Sequence, residues 1–503
     1  MFEESSTRTI LISSHSAPLS GADSNDTLTF DVPRSYMPSE NHSTEQDLIA
    51  FRTKKLEELK KLKINPYPSD SENEFCIAKV KDEYEELVIA NTKIFIAGRI
   101  MAFRAHGGAT FVDVVDESGK MQFLFRLDDL KKEYETIKLY DLGDFIEAEG
   151  HLFKTRTGEI TLVVEKFRLL AKAIRPLPEQ FYGLSDVETR YRERYVDLIV
   201  NPEVKEIFYK RSQIISTLRN SLVRLGFLEV DTPVLQPIPG GANAKPFSTH
   251  YNAYDRDVYL RIAPELYLKR LIVGGFERVF EFSRCFRNEG VDATHNPEFT
   301  NLEFYWAYSD YKKMMKLVEE MMREVVKTVN NGSLVFERDG KKFDFSGNFK
   351  KTTFDTITGG KNTDQAFKEG VKKIVEPTFV INHPIEISPL AKKLDDKVTQ
   401  RFQLVIDGRE FVNAFTELND PIDQRERFES QMKLRKKGDE EAQILDEDFI
   451  RALEYGMPPT SGCGIGVDRL VMFLAGANTI REVLFFPYMR PIENLKSKSQ
   501  KSK

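Results

Sequence analysis

At 503 residues the chain exceeds one ordinary domain, and two or three are expected. Its apolar fraction of 41% can fill sizeable cores, yet no apolar run approaches membrane-spanning length. A net charge of -6 excludes a globally basic nucleic-acid binder but leaves room for a local basic surface; three scattered cysteines and seven histidines give neither a disulfide framework nor a zinc spacing.

In chain order, residues 1–45 are rich in Ser, Thr and Asn, and acids outnumber Arg8 and Arg34. With no apolar signal core and an acidic balance, the segment fits a presequence badly. It reads as a disordered extension, and cytoplasm is the expected compartment.

A first domain is expected over 46–172. The stretch from Asp47 to Ile64 places Leu48, Phe51, Leu59 and Leu62 at near-helical spacing, with the stem of Lys55 between them. Lys54, Lys55, Lys60, Lys61 and Lys63 supply either a solvated helix face or RNA-phosphate contacts, and both readings stand open. Asn65-Pro66-Tyr67-Pro68 ends the helix. Five short alternating segments follow between Thr92 and Lys172, broken at Gly107-Gly108, Ser118-Gly119, Leu142-Gly143 and Thr157-Gly158. They suit a Greek-key barrel of the oligonucleotide-binding (OB) type, although another small barrel would share the composition.

Residues 173–190, with two prolines and a glycine, read as a linker, and 191–492 as one large α+β domain. Within it we expect a helix over 201–226, a Met-rich helix near 311–328 and a charged helical stretch from Arg425 to Tyr455. Arg401 to Val412 reads as a hairpin turning at Asp407-Gly408. The basic tail 493–503 is low-complexity and expected to be disordered. There is no internal repeat.

Three segments of the large domain concentrate charge among strand-forming residues. Gly226 to Pro233 is a helix end and a strand stopped by proline, followed by Pro239-Gly240-Gly241-Ala242. Arg287-Asn288-Glu289-Gly290 continues through His295-Asn296-Pro297-Glu298-Phe299 to Asn301-Leu302-Glu303-Phe304-Tyr305. Gly462-Cys463-Gly464-Ile465-Gly466-Val467-Asp468-Arg469 opens an apolar helix. Each alone has a bland explanation, such as a tight turn, a local ion pair or a strand stop. Together and in this order they resemble the three motifs of class II aminoacyl-tRNA synthetases. IPGGANAKPF, RIAPELYLKR, RNEGVDATHNPEFT, FVNAFTELNDP and CGIGVDRL are similar to lysyl-tRNA synthetases, and the resemblance runs from about Gln46 to Pro491.

The resemblance implies an α+β chain: an N-terminal OB-fold β-barrel, then a class II synthetase catalytic domain built on an antiparallel sheet, in a homodimer. It implies L-lysine, ATP and tRNA(Lys) as substrates and Mg²⁺ as cofactor. Arg287 matches the arginine on the α-phosphate and lysine carboxylate, and Arg469 a second nucleotide arginine; guanidinium groups suit both anions. Asn288, Glu289, His295, Asn296, Phe299, Glu410, Phe411 and Gly466 match ATP positions, with Glu289 counted beside the two arginines as catalytic and Phe299 as the adenine-stacking ring. Lysine would meet Gly241, Glu265, Arg287, Glu303, Tyr305, Asn413 and Glu417. Glu303 and Tyr305 share parity on a strand and should face one way. Glu410 matches an acidic Mg²⁺ position. The other, usually Glu, is Gln403 here, a neutral carbonyl where the family offers charge. In the barrel, Phe111, Gln122 and Glu165 match anticodon contacts; Phe111 could also be core, and Gln122 an ordinary exposed strand residue.

One geometric requirement follows. Asn413 and Glu417 share parity, whereas Glu410 has the opposite one, so a regular strand would face it away. A one-residue bulge at Phe411-Val412 would bring all three to one cleft. Charge sign argues against an aspartyl or asparaginyl enzyme, since Glu303 and Glu417 would repel a side-chain carboxylate. The barrel argues against a protein-modifying lysine ligase. Arg287, Glu289, Glu410 and Arg469 argue against a non-catalytic RNA-binding scaffold.

Overall fold

A computed structural model describes residues 44–178, 184 and 186–492. The expected N-terminal extension, save its last two residues, the basic tail and the middle of the linker lie outside the described residues. The chain divides into two compact units between Pro178 and Glu179.

The first unit opens with α1 (Glu45–Lys61), whose end is fixed by a reciprocal capping box between Thr44 and Asp47. Five strands then close a barrel: β1 (Ile94–His106), β2 (Ala109–Val115), β3 (Lys120–Arg126), β4 (Phe145–Lys154) and β5 (Ile160–Ala171), in the order β1-β2-β3-β5-β4. Alternate residues fill it, among them Ile96, Val112, Val114, Met121, Phe123, Ile146 and Leu162, and Leu59 of α1 joins this core. Lys55 belongs to neither surface expected of it. It is buried and pairs with Asp141 at 2.7 Å, while Lys172 holds Asp144 at 2.8 Å and also Asp141. Arg52, also buried, donates to the carbonyls of Leu142, Ala173 and Arg175. One face of α1 therefore docks on the barrel through ions.

The second unit contains, in chain order, α2 (Val204–Arg224), β6 (Leu228–Glu229), α3 (Glu265–Val273), β7 (Arg278–Phe286), β8 (Glu298–Ala307), α4 (Tyr311–Val329), β9 (Lys350–Thr353), β10 (Thr378–Ile381), β11 (Arg401–Ile406), β12 (Arg409–Thr416), β13 (Thr460–Gly466) and α5 (Val467–Ala475). The strands form an eight-stranded sheet ordered β9-β10-β11-β12-β13-β8-β7-β6, antiparallel except for the outermost pairs β9–β10 and β6–β7. Apolar residues of α2, α4 and α5 pack on one face against Phe280, Phe304, Leu404, Val412, Ala414 and Ile465. The opposite face carries Tyr305 and Phe415 against α3. The charged stretch from Arg425 is two helices, Pro421–Lys436 and Glu447–Glu454, because Gly438 adopts φ 105° and Asp446 caps a new start.

The hairpin turns at Asp407 and Gly408, both with positive φ, as a two-residue turn between twisted strands requires. Its ladder runs Val405↔Glu410, then Leu404↔Val412 and Gln403↔Asn413, so Phe411 is the extra residue. Phe411 and Val412 both pack in the core beneath the sheet, and Glu410 and Asn413 share the other face. The bulge is where the site requires it.

Candidate active site

The upper face of the sheet carries a nest of acids. Glu265 at the start of α3, Glu303 on β8 and Glu417 just beyond β12 are all buried. Such carboxylates are costly unless something compensates them. For Glu303 the compensation is neutral: Asn301 Nδ2 donates to one oxygen at 2.9 Å and the Tyr305 hydroxyl to the other at 3.0 Å. The strand alternation of 301, 303 and 305 produces this row directly. Burial, then the nearby Glu265, pushes the Glu303 carboxyl up to about 8. Glu417 Oε1 is buried with no hydrogen-bond partner.

Backbone forms the rest of the nest. A Cβ on Gly462 would lie 2.1 Å from Glu417 Oε1 and 2.4 Å from the Tyr305 ring, so any side chain there would displace both. Gly241 adopts φ 85° and passes beside Glu265, where a Cβ would lie 2.9 Å from that of Glu265. Asn413 stands on the same face, its Oδ1 accepting from Arg401 Nε at 2.9 Å. Lys269, one turn along α3 from Glu265, bonds Glu265 at 2.7 Å and also reaches Glu417.

Next to the acids is a cationic region. The Arg287 guanidinium lies 5.0 Å from the centroid of the Phe299 ring, and its Nε is buried without a partner. A backbone bond from Arg287 to Pro297 ties the two ends of the loop. Inside that loop Asp292 accepts from Thr294 and His295; although partial burial opposes it, these bonds hold its carboxyl down to about 2. His295 Nε2 in turn lies 3.2 Å from Arg469 Nη2. Asn296 is buried, donating to Glu298 O. Asp468 anchors the start of α5: it accepts from Arg211 at 2.6 Å and from the Thr300 backbone at 2.7 Å.

The expected residues divide as follows. Glu265, Glu303, Tyr305 and Glu417 gather in one nest, with Gly241 beside Glu265. Arg287 meets Phe299, and His295 meets Arg469. Gly466 makes no close contact, since a Cβ there would meet only the Arg469 stem at 3.8 Å. Asn288 and Glu289 are exposed, the former held by its backbone to Lys245. The Phe411 ring is buried against Phe473, which leaves it only backbone to offer a nucleotide. Gln403 shares a face with Glu410, but its oxygen already accepts from His383 Nε2 at 2.7 Å. Burial, then the Arg401 charge, pushes His383 down to about 3, which keeps it neutral. One lone pair of the Gln403 oxygen is thus already engaged by His383.

Lys269, Asn301, Arg401, Phe415, His383 and Gly462 were not anticipated. Parity could have found Asn301 and Phe415, and the i,i+4 spacing of Glu265 and Lys269 could have suggested an ion pair. His383 sits on an irregular segment that gives no such signal.

On the barrel, residues of β2 and β3 alternate between core and outer face. Val112, Val114, Met121 and Phe123 point inward, so Phe111 and Gln122 point outward. Gln122 accepts from Thr161 at 3.0 Å, and its strand pairs with β5. Glu165 is the extra residue where the β4–β5 register shifts, and it reaches Lys93 at 2.9 Å and His151 at 3.4 Å. Phe111 is therefore not core, and all three residues lie on adjacent strands of one wall.

Residues 186–490 match the family described as tRNA synthetases class II (D, K and N), and residues 94–170 match the OB-fold nucleic acid binding domain. A lysine–tRNA ligase of Magnetococcus marinus is 49% identical over 488 residues, covering 89% of this chain and 97% of the relative. Lysine–tRNA ligases of Syntrophomonas wolfei and Carboxydothermus hydrogenoformans are each 48% identical, covering 90% of this chain and 99% of their own length. With sheet, acid nest and paired arginine loops in place, the chain belongs to the class II tRNA synthetases and, within them, to the lysine–tRNA ligases.

Proposed function

We propose that the acid nest is the lysine site and the Arg287–Arg469 region the ATP site of a lysine–tRNA ligase. The observation that carries this reading is Glu417 Oε1, a buried acceptor without a partner among three enclosed carboxylates. A terminal ammonium on a long apolar stem satisfies it; a carboxylate or amide side chain does not. Within a family covering three amino acids, that selects lysine.

In this reading Glu265 and the Gly241 backbone accept from the α-ammonium, while Arg287 and Asn413 hold the carboxylate. Glu303, Tyr305 and Glu417 enclose the ε-ammonium. The lysine carboxylate oxygen attacks the α-phosphorus in line, forming the acyl–phosphate bond as pyrophosphate leaves. A ribose hydroxyl of tRNA then attacks the acyl carbon and AMP departs. No protein nucleophile is needed; orientation and charge neutralisation carry the rate. Phe299 supports adenine, Arg287 and Arg469 meet the phosphates, and His295 with Asn296 shapes the loop beside them.

For Mg²⁺, no group of three or more His, Cys, Asp or Glu side chains could hold an ion by itself among the described residues. Glu410 shares the Asn413 face, and one carboxylate completed by phosphate oxygens suits this ion. Bound there, it would neutralise phosphate charge. Gln403 is left out of that set. Phe111, Gln122 and Glu165 would stack and read anticodon bases, the usual route to single-stranded RNA. A cytoplasmic homodimer completes the proposal: Leu235, Tyr251 and Tyr254 expose apolar surface on one small three-stranded sheet and its turn, as a subunit interface would. No helix of the described residues is long and apolar enough to cross a membrane.

ATP–pyrophosphate exchange with each amino acid in turn tests the reading. Lysine alone should support it, and Arg287→Ala should lower it by about 10²- to 10³-fold while leaving the fold intact. Exchange with aspartate or asparagine, or exchange retained in the variant, would overturn it.

A further inference from the structure

Lys269 has no part in the chemistry above, yet it is the most enclosed cation of the nest. Its side chain is wholly buried, and its ammonium bonds Glu265 at 2.7 Å and Glu417 as well. The rings of Phe415 and Phe449 lie 5.5 Å and 5.8 Å from the ammonium. A resident cation in a cation site repels the substrate unless acids outnumber it. Here they do, since Glu265, Glu303 and Glu417 stand against one lysine. Lysine brings two ammonium groups, so the filled nest holds three carboxylates and three ammonium groups. The substrate carboxylate is met separately by Arg287.

We propose that Lys269 is a positioning residue for lysine selection: by binding one oxygen of Glu265 and one of Glu417, it draws the two acids together and turns Glu417 Oε1 toward the substrate. This rests on the nest being the lysine site. The geometry is specific. Glu417 Oε2 is taken by Lys269, while Oε1 lies against Gly462, where no side chain can stand. The Tyr305 hydroxyl donates to Glu303, Arg401 acts on Glu265 through its charge, and Lys269 binds both Glu265 and Glu417. The titrating or charged neighbours are Glu303, Tyr305, Arg401 and Arg287. Burial lowers the Lys269 ammonium, but its two carboxylates raise it more, so it stays charged. Burial still holds Glu417 well above the usual carboxylate range and Glu265 above it too, and Lys269 draws both back toward it.

Lys269→Met is the test, read by pyrophosphate exchange in the full-length enzyme, after lysine-dependent exchange of the unaltered enzyme has secured the site itself. At about pH 7 the lysine KM should rise on the order of 30-fold or more, with the ATP KM within about twofold. Without the ammonium, Glu417 keeps a proton to higher pH. The variant's lysine KM should therefore fall as pH rises from about 7 to about 9, by up to roughly tenfold per unit, more steeply than in the unaltered enzyme. Equal rises in both KM values with parallel pH profiles would mean a structural role only and overturn the proposal. If the Met variant does not fold, Lys269→Arg decides: it keeps the charge but displaces Glu417, so lysine KM should rise several-fold with an unaltered pH profile. Lysine KM unchanged in Lys269→Arg, or ATP KM rising in step, overturns the proposal equally.

Discussion

Two buried ionic clusters make this chain informative, one in each unit. In the barrel unit, Asp141 and Asp144 face Lys55 and Lys172, and the Asp144 oxygens also accept the backbone N–H groups of Asp141 and Ala173. Charges balance and the acids have donors. In the catalytic unit, three acids face one lysine, and one oxygen has no partner. Balance makes a fastener: it can only be broken. Imbalance makes a site, because a cation of the right length completes it. Burial and residue type are alike in the two clusters, and the difference lies in what is left over.

Breaking the balanced cluster should have the largest effect. Lys172→Met leaves Asp144 without its cation in an enclosed place and Asp141 with Lys55 alone, which should destabilise the barrel by roughly 3–5 kcal/mol. Urea unfolding of the full chain would show an early transition with lysine activation preserved. A barrel of unchanged stability would mean the pairs are dispensable. Glu417→Gln should instead leave folding nearly untouched. It should weaken lysine binding by roughly 2–5 kcal/mol and leave the ATP requirement alone, as separate KM determinations would show. Equal shifts for both substrates would remove Glu417 from the lysine site.

Phe111→Ala separates the barrel's fastener from its RNA wall. Loss of one stacking ring should weaken tRNA charging by about 1–3 kcal/mol with exchange and barrel stability unaltered. Charging at the original level would show that Phe111 is an ordinary wall residue. The smallest effect is expected at the third enclosed polar pair, the neutral His383–Gln403. A carboxylate at 403 would keep the His383 bond, so Gln403→Glu should leave the Mg²⁺ activation curve in place, whereas Glu410→Gln should move it to higher metal. A shift to lower metal in Gln403→Glu would restore Gln403 to the coordination shell.

Much of this was legible from spacing. Period-two alternation put Glu303 beside Tyr305, and the parity conflict between Glu410 and Asn413 demanded the bulge that the ladder contains. The motif order pointed to the fold of the second unit, and five alternating segments with their turn breaks pointed to the barrel of the first. What spacing could not reveal were partners distant in sequence. Lys55 read as a surface or RNA-facing lysine because Asp141 lies 86 residues away. The hydrogen bond of Gln403 was hidden likewise, because His383 comes from a segment with no periodicity. Lys269 read as one letter of a motif, since an i,i+4 acid–base pair usually marks a solvated helix face. Long-range ionic pairing depends on how elements meet, and local pattern does not encode it.

The bulge at Phe411 also sets which changes of length this chain can accept. β12 is read in two frames, one through Glu410 and the other from Val412 onward. Losing either Phe411 or Val412 would merge the frames into a regular hairpin arm, with Glu410, Asn413 and Glu417 still on one face. Losing any one residue from Ala414 to Thr416 would instead invert Glu417 and carry its carboxylate away from Lys269. Within β12 a deletion that keeps the acids on one face is thus confined to a two-residue window, and even there it empties a core position.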